Sequence, residues 1–224
     1  MKTKTPKPNP QLQIDENELR ILRASADRFM THGYSKVTLD EVAADLRISK
    51  KTVYKFFPGK DILLRAIIRS MLRRLEAKMD EIVASDKPSD EKFLALFMLL
   101  GGVIRRMTRQ FQLDLQRFAP AVWDEAEAFR RERLFPKLQA IFRQAREQGL
   151  FRNEINSELF FLIFTSTVQS VMNLSVLSQQ PFSAEEAFLG IFRIMFTGVL
   201  TEDAKPAFDK LVCELAAQQN TELI

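Results

Sequence analysis

Between Thr38 and Gly59 the sequence starts two helices and stops both, which leaves each of them barely two turns. Thr38-Leu39-Asp40-Glu41 has the form of a capping box, in which the threonine hydroxyl and the glutamate each satisfy an orphan backbone N–H. The helix it opens is expected to run to about Leu46. Ser49 is a good N-cap for a second helix through Phe56, with Arg47-Ile48 left as a tight turn and Pro58-Gly59 breaking the chain afterwards. Upstream, Ile21, Leu22, Ala24, Ser25, Phe29 and Met30 recur at helical spacing from Asn17 onward, and Gly33 supplies a stop. A longer helix followed by two short ones about a tight turn is the outline of a helix-turn-helix, whose second short helix enters the DNA major groove.

The charges agree with such a role. Residues 1–78 hold 17 Lys and Arg against 9 Asp and Glu, a net +8, whereas the remainder holds 16 against 20, a net −4. This asymmetry points the first third at a polyanion. Lys50 and Lys51 stand in the first turn of their helix, where the macrodipole disfavours cations, and no acidic residue lies between Ser49 and Phe57 to offset them. An anion facing them is therefore expected. Lys60 repeats the pattern at the next helix start. Residues 1–13, with Pro6, Pro8 and Pro10 among Lys2, Lys4 and Lys7, read as an extended basic arm, which either touches DNA or is an ordinary tail.

From Arg20 to Leu64 the chain resembles the DNA-binding domain of the tetracycline-repressor (TetR) family. The resemblance rests on Ile21-Leu22, Ala24, Phe29, Gly33-Tyr34, Thr38, Val42-Ala43, Ile48-Ser49, Thr52-Val53-Tyr54, Phe57, Lys60-Asp61 and Leu63 in the family's order and spacing. It implies that Thr38, Ser49, Tyr54 and Lys60 hold backbone phosphates, and that Lys50, Lys51, Thr52 and Lys55 reach bases or nearby phosphates. The departures are Leu46-Arg47, where the family has a small residue and then Gly, Lys51 in place of Gly, and Phe56 in place of Tyr or His. Taken singly, each of these residues also fits a plain solvated face or a small core.

Beyond Lys60 the pattern stays helical, and no segment alternates as a strand would, so the fold expected is all-α. Helices are expected over Ile62 to about Pro88, Glu91–Arg109, Val122–Gln148, Asn156–Gln179 and Ala184–Thr201, with a weaker one over Pro206–Ala217. Pro136 implies a kink after Phe135. The division expected is a basic arm over 1–13, a helix-turn-helix domain over 14–60 and a helical domain over 61–224. The family's second domain, which binds ligands and dimerises, has the same all-helical character.

The last two long helices are apolar around most of their circumference. Phe160, Phe161, Phe164, Val168, Val171 and Met172, then Phe188, Ile191, Phe192, Met195, Phe196 and Val199, are expected to form a homodimer interface, or else a central monomer core. The resemblance points to a four-helix bundle and to a near-palindromic operator. It also implies a small-molecule effector. For that pocket Met98, Met107, Phe111, Trp123 and Phe129 are candidate apolar walls, with Arg106 or Arg130 as an anchor for an acidic group, while Gly101-Gly102 would mark a kink or close approach beside a cavity.

One Cys and one His leave too few soft ligands for a zinc finger or a thiolate cluster, so no metal or other cofactor is expected. No apolar segment follows the charged start, and Phe93–Ile104 and Leu159–Leu177 are too short or too interrupted to cross a bilayer, so the expected place is the cytoplasm. An enzyme is disfavoured, because no nucleophile–base pair and no Gly-rich phosphate loop stands out. The reading is a homodimeric, ligand-released transcriptional repressor. Its alternative is an architectural or partner-regulated DNA binder without a ligand.

Overall fold

The computed structural model describes residues 16–172, 174–177 and 179–217; the expected basic arm lies outside them. The described residues are mainly helical. The elements are α1 (Glu16–His32), α2 (Leu39–Asp45), α3 (Lys50–Phe56), α4 (Lys60–Ala84), α5 (Ser89–Arg106), α6 (Arg109–Phe118) and α7 (Pro120–Phe129). A wide π-turn over Arg130–Leu134 leads into α8 (Phe135–Glu147), followed by α9 (Ser157–Val171), α10 (Leu174–Leu177), α11 (Ala184–Val199) and α12 (Lys205–Ala217). Among the described residues there is no strand, and the one bridge joins Phe151 to Leu200.

Local chemistry sets the short helices. Gly33 ends α1 at φ +87°, its N–H returning to the Phe29 carbonyl at 3.0 Å. The capping box forms as expected: Glu41 N–H donates to Thr38 Oγ1 at 3.2 Å, and Thr38 N–H to Glu41 Oε2 at 2.7 Å. The α2–α3 turn is a Schellman closure, with Ile48 N–H on the Ala43 carbonyl at 3.0 Å and Arg47 N–H on that of Ala44 at 3.1 Å. That closure needs a left-handed residue, and Arg47 supplies it at φ +54°, where a side chain costs about 1–2 kcal/mol.

Two cores result. In one, Ile21, Phe29, Val42, Val53, Leu63, Leu64 and Ile67 pack with Phe111, Leu115, Val122 and Ala126, so residues on both sides of position 60 share it with α6 and α7. The other is mainly aromatic. Phe93, Phe97, Phe142, Phe151, Phe160, Phe164, Phe188, Phe192 and Phe196 meet there, with Phe196 at 4.8 Å from Phe93, 5.1 Å from Phe160 and 5.4 Å from Phe142 between ring centroids. The long α4 runs through both, giving Leu63 to Ile68 to the first and Leu75 and Met79 to the second.

Three local expectations change. Helix α6 has no counterpart in the sequence reading, because its buried stripe is only Phe111, Leu115 and the capping Ala119, set among Gln112 and Asp114. The single helix expected over Val122–Gln148 is interrupted ahead of Phe135 rather than after it: Pro136 has no N–H and crowds the carbonyls of the preceding turn, which widens to place Phe135 N–H on the Arg130 carbonyl. Gly101 and Gly102 lie within α5, and a Cβ on either would meet nothing within 4 Å, so no neighbouring helix needs their smallness.

Two stability changes follow from this geometry. Arg47→Gly relieves the left-handed strain and should raise stability by roughly 0.5–1 kcal/mol, while Gly101→Ala, on a buried helical site with room for a methyl, should add up to about 1 kcal/mol. Thermal unfolding should show each as a rise of about 1–4 °C.

Candidate nucleic-acid interface

Helix α3 is held at one end by Ser49 and along its length by Val53. The Ser49 hydroxyl accepts Thr52 N–H at 3.0 Å, and Val53 is fully buried in the first core. Inward-facing Val53 leaves Lys50, Lys51, Tyr54 and Lys55 outward, all exposed, with Tyr54 presenting 47% of its surface to solvent. Thr52 is half-buried, its hydroxyl 2.8 Å from that of Ser49. Among the described residues no carboxylate pairs with Lys51 or Lys55. Lys36 and Arg47, which the sequence reading does not name as DNA contacts, are exposed cations on the two turns flanking α2.

Lys50 differs from the expectation. Its Nζ lies 2.7 Å from Asp40 Oδ2 in the first turn of α2, and that bond raises its pKa. An acidic partner comes from the neighbouring helix, so the anion expected opposite Lys50 is present within the chain itself. Thr38 and Ser49 are exposed but engaged as caps.

Lys60 differs more. It stands at the start of α4, where Gly59 caps without a side chain, yet its Nζ turns inward: 3.3 Å from the Ser35 carbonyl and 4.4 Å from the centroid of the Tyr34 ring. Burial pushes its pKa down, opposed by the charges of Asp114 and Glu41.

In the helical domain the seven expected ligand residues do not converge. Residues 109–129 form α6 and α7, which back onto α1 and α4, so Phe111 is wholly buried in the first core and Met107 and Trp123 pack against it. Met98 and Phe129 pack on the aromatic core instead. Arg106 is exposed, and Arg130 pairs with Glu127 while lying 5.3 Å over the Trp123 ring. A cavity of about 450 Å³ lies elsewhere, between the end of α5 (Ile104, Arg105), Met107-Thr108, Leu177, and the segment from Gln180 to Glu186 that starts α11. Of the expected residues only Met107 lies in its wall. Arg105 and Glu185 face each other at 3.4 Å.

The residues expected at a dimer interface or a central monomer core divide by burial within the single chain. Phe160, Phe164, Phe188, Phe192, Phe196 and Val199 are no more than 8% exposed within the single chain, because the phenylalanines fill its own core. Phe161, Val168, Met172, Ile191 and Met195 pack partly against that core, and Val171 is half-buried. On α9 and α11 the apolar side chains left in water are aliphatic: Leu159, Leu162 and Ile163 of α9 and Ile194 of α11, the last 78% exposed. Among the described residues no helix is long and apolar enough to cross a membrane.

Comparison with known proteins joins these features. Residues 21–67, which cover α1 to the first turns of α4, match the family model of bacterial regulatory proteins of the tetR family. An uncharacterised HTH-type transcriptional regulator of Bacillus subtilis, YvaF, is 22% identical over 189 residues, spanning 84% of this chain and 98% of that one. The fold is shared with the fatty acid degradation regulator FadR from Bacillus halodurans, at a TM-score of 0.62 and 15% identity over 83% of this chain and 97% of that one. It is shared equally with a TetR-family regulator from Agrobacterium tumefaciens, at a TM-score of 0.62 and 20% identity over 86% and 100%. Residues 21–67 thus carry the helix-turn-helix of the tetR family of bacterial regulatory proteins, on an overall fold shared with solved TetR-family regulators.

Proposed function

We propose that the protein is a homodimeric repressor that reads a near-palindromic operator with α3 and is released by a small molecule held in the helical domain. The observation that carries the DNA contact is the outward row on α3: Lys51, Tyr54 and Lys55 stand on a helix fixed by its cap and by Val53, and no carboxylate of the described residues neutralises the two lysines. Lys50 and Thr52 lie on the same first turn, toward base edges. Thr38 and Ser49, each capping a helix start beside the row, are the further candidates for phosphate contact, whereas the inward-turned Lys60 supports the row from behind.

Dimerisation is supported by the exposed aliphatic stripe. Leu159, Leu162 and Ile163 follow the i, i+3, i+4 spacing of one helix face, and α9 packs against α11, which carries Ile194. Water contact for such a stripe is costly, at about 25 cal/mol per Å² of apolar surface. Two copies joined through it bury it in a four-helix arrangement and present two recognition helices to two half-sites. The cavity beside Arg105 and Glu185 supports the effector, since Ile104, Met107, Leu177 and Phe182 give it apolar walls within the size range of ligand pockets.

For the DNA face, Lys51→Ala and Lys55→Ala should each weaken binding to any duplex and lower the salt slope by about one, whereas Thr52→Val should change which base is preferred; titration at several salt concentrations measures both. Unchanged affinity after Lys51→Ala and Tyr54→Ala together would sink this assignment. For the interface, Leu162→Asp with Ile194→Asp should yield a folded monomer in sedimentation, with operator affinity reduced at least 100-fold. A dimer that persists through both changes places the contact elsewhere.

A further inference from the structure

Helix α6 meets the α1–α2 turn at a buried carboxylate. Asp114 is 2% exposed, its Oδ2 accepting the Ser35 backbone N–H at 2.6 Å and its Oδ1 the Gln110 side-chain amide at 2.7 Å. The approach is so close that a Cβ on Gly33 would stand 2.8 Å from Oδ2. Burial works to raise its pKa, but the bonds from Ser35 and Gln110 and the charge of Lys60 outweigh it and hold the carboxyl below the usual range. On the other side of the same residue, the Ser35 carbonyl receives Lys60 Nζ from the start of α4. Ser35 is therefore gripped through its N–H by α6 and through its C=O by α4, three residues ahead of the cap that starts α2. A second grip lies at the head of α6, where Thr108 caps that helix and its hydroxyl donates to the Met30 carbonyl of α1.

We propose that Asp114 is a positioning residue for DNA binding: by fixing Ser35 against α6 it sets the angle at which α2 and α3 of each protomer face the duplex. It touches no DNA. A buried carboxylate is a costly way to bond one amide if stability is all that it serves, and a neutral acceptor would bond the same N–H without desolvating a charge. The carboxylate adds attraction for Lys60, so that one group draws two elements of the DNA-binding unit onto α6. Gly33 has a second reason to be glycine here, because any side chain would push Asp114 away from Ser35.

The proposal rests on the DNA face described above, and the test separates the two. With a duplex selected from a random library by the full-length protein, affinity is measured against salt for Asp114→Ala, Asp114→Asn and Lys51→Ala, on that duplex and on versions with half-site separation changed by one base pair. Thermal unfolding confirms that each variant is folded at the assay temperature. Asp114→Ala should lose at least tenfold in affinity with an unchanged salt slope, and should discriminate less between the separations, because its recognition helices are no longer held at one angle. Asp114→Asn keeps an acceptor for Ser35 N–H but gives up the attraction for Lys60, and should lose clearly less affinity than the alanine variant. If Asp114→Ala is too unstable to assay, Asp114→Glu, which keeps the charge but moves the acceptor by a methylene, carries the same expectation as the alanine variant. Parental affinity and spacing preference in a folded Asp114→Ala or Asp114→Glu would overturn the positioning role, as would an Asp114→Asn protein as weak as the alanine variant. Lys51→Ala reports separately: an unchanged slope there removes the DNA face itself and not the Asp114 contact.

Discussion

Phe111 and Leu115 of α6 are buried among side chains of α1 and α4, and the arrangement of the whole chain depends on that contact. Three short helices of a helix-turn-helix hold too few apolar residues to close a core alone, because small units bury a small fraction of their surface. The chain solves this by lending the unit a wall from the helical domain. Ile21, Phe29, Leu63, Leu64 and Ile67 are at most 2% exposed, and each such side chain contributes about 1.5–3 kcal/mol by burial. The recognition helix is thus anchored through Val53 to a core whose far side belongs to α6 and α7.

The parts legible in the sequence are those decided within four or five residues. A hydroxyl three places before a glutamate forms its capping box, Ser49 caps α3, and Gly33 takes the left-handed backbone, all without reference to the rest of the chain. The resemblance to the family marks Leu46-Arg47 as a turn made without glycine, and Arg47 is the residue that takes the left-handed backbone. Helix α6 escaped it because its burial comes from a distant partner, α1, and its sequence shows polar Gln112 and Asp114 where a plain amphipathic stripe would be apolar.

The apolar helices α9 and α11 show a different limit. Residues that are apolar on all sides reveal that both faces are covered but not which face meets the chain's own core. Packing decides it by shape. Flat rings stack and tilt on one another around Phe196 at centroid separations near 5 Å, so the phenylalanines gather inside and the aliphatic Leu159, Leu162, Ile163 and Ile194 are left outside. The direction of a long side chain was similarly out of reach: Lys60 sits at the expected helix start, yet the ring of Tyr34 and the Ser35 carbonyl draw its ammonium inward.

Electrostatics then separates the lysines of the DNA-binding unit into three kinds. Lys50 is neutralised by Asp40, although an exposed pair of this sort is worth only about 0–1 kcal/mol and yields readily to a phosphate. Lys60 is engaged at the junction with α6, so moving it to solvent breaks a contact that the domain arrangement uses. Lys51 and Lys55 are outside both arrangements, exposed and with no carboxylate of the described residues paired to them. Thr108 joins the helical domain to α1, since it lies in the wall of the cavity and its hydroxyl donates to the Met30 carbonyl near the end of α1. A displacement of Thr108 must therefore either stretch its bond to Met30 or carry α1 with it, and α1 shares its core with α3 through Val53.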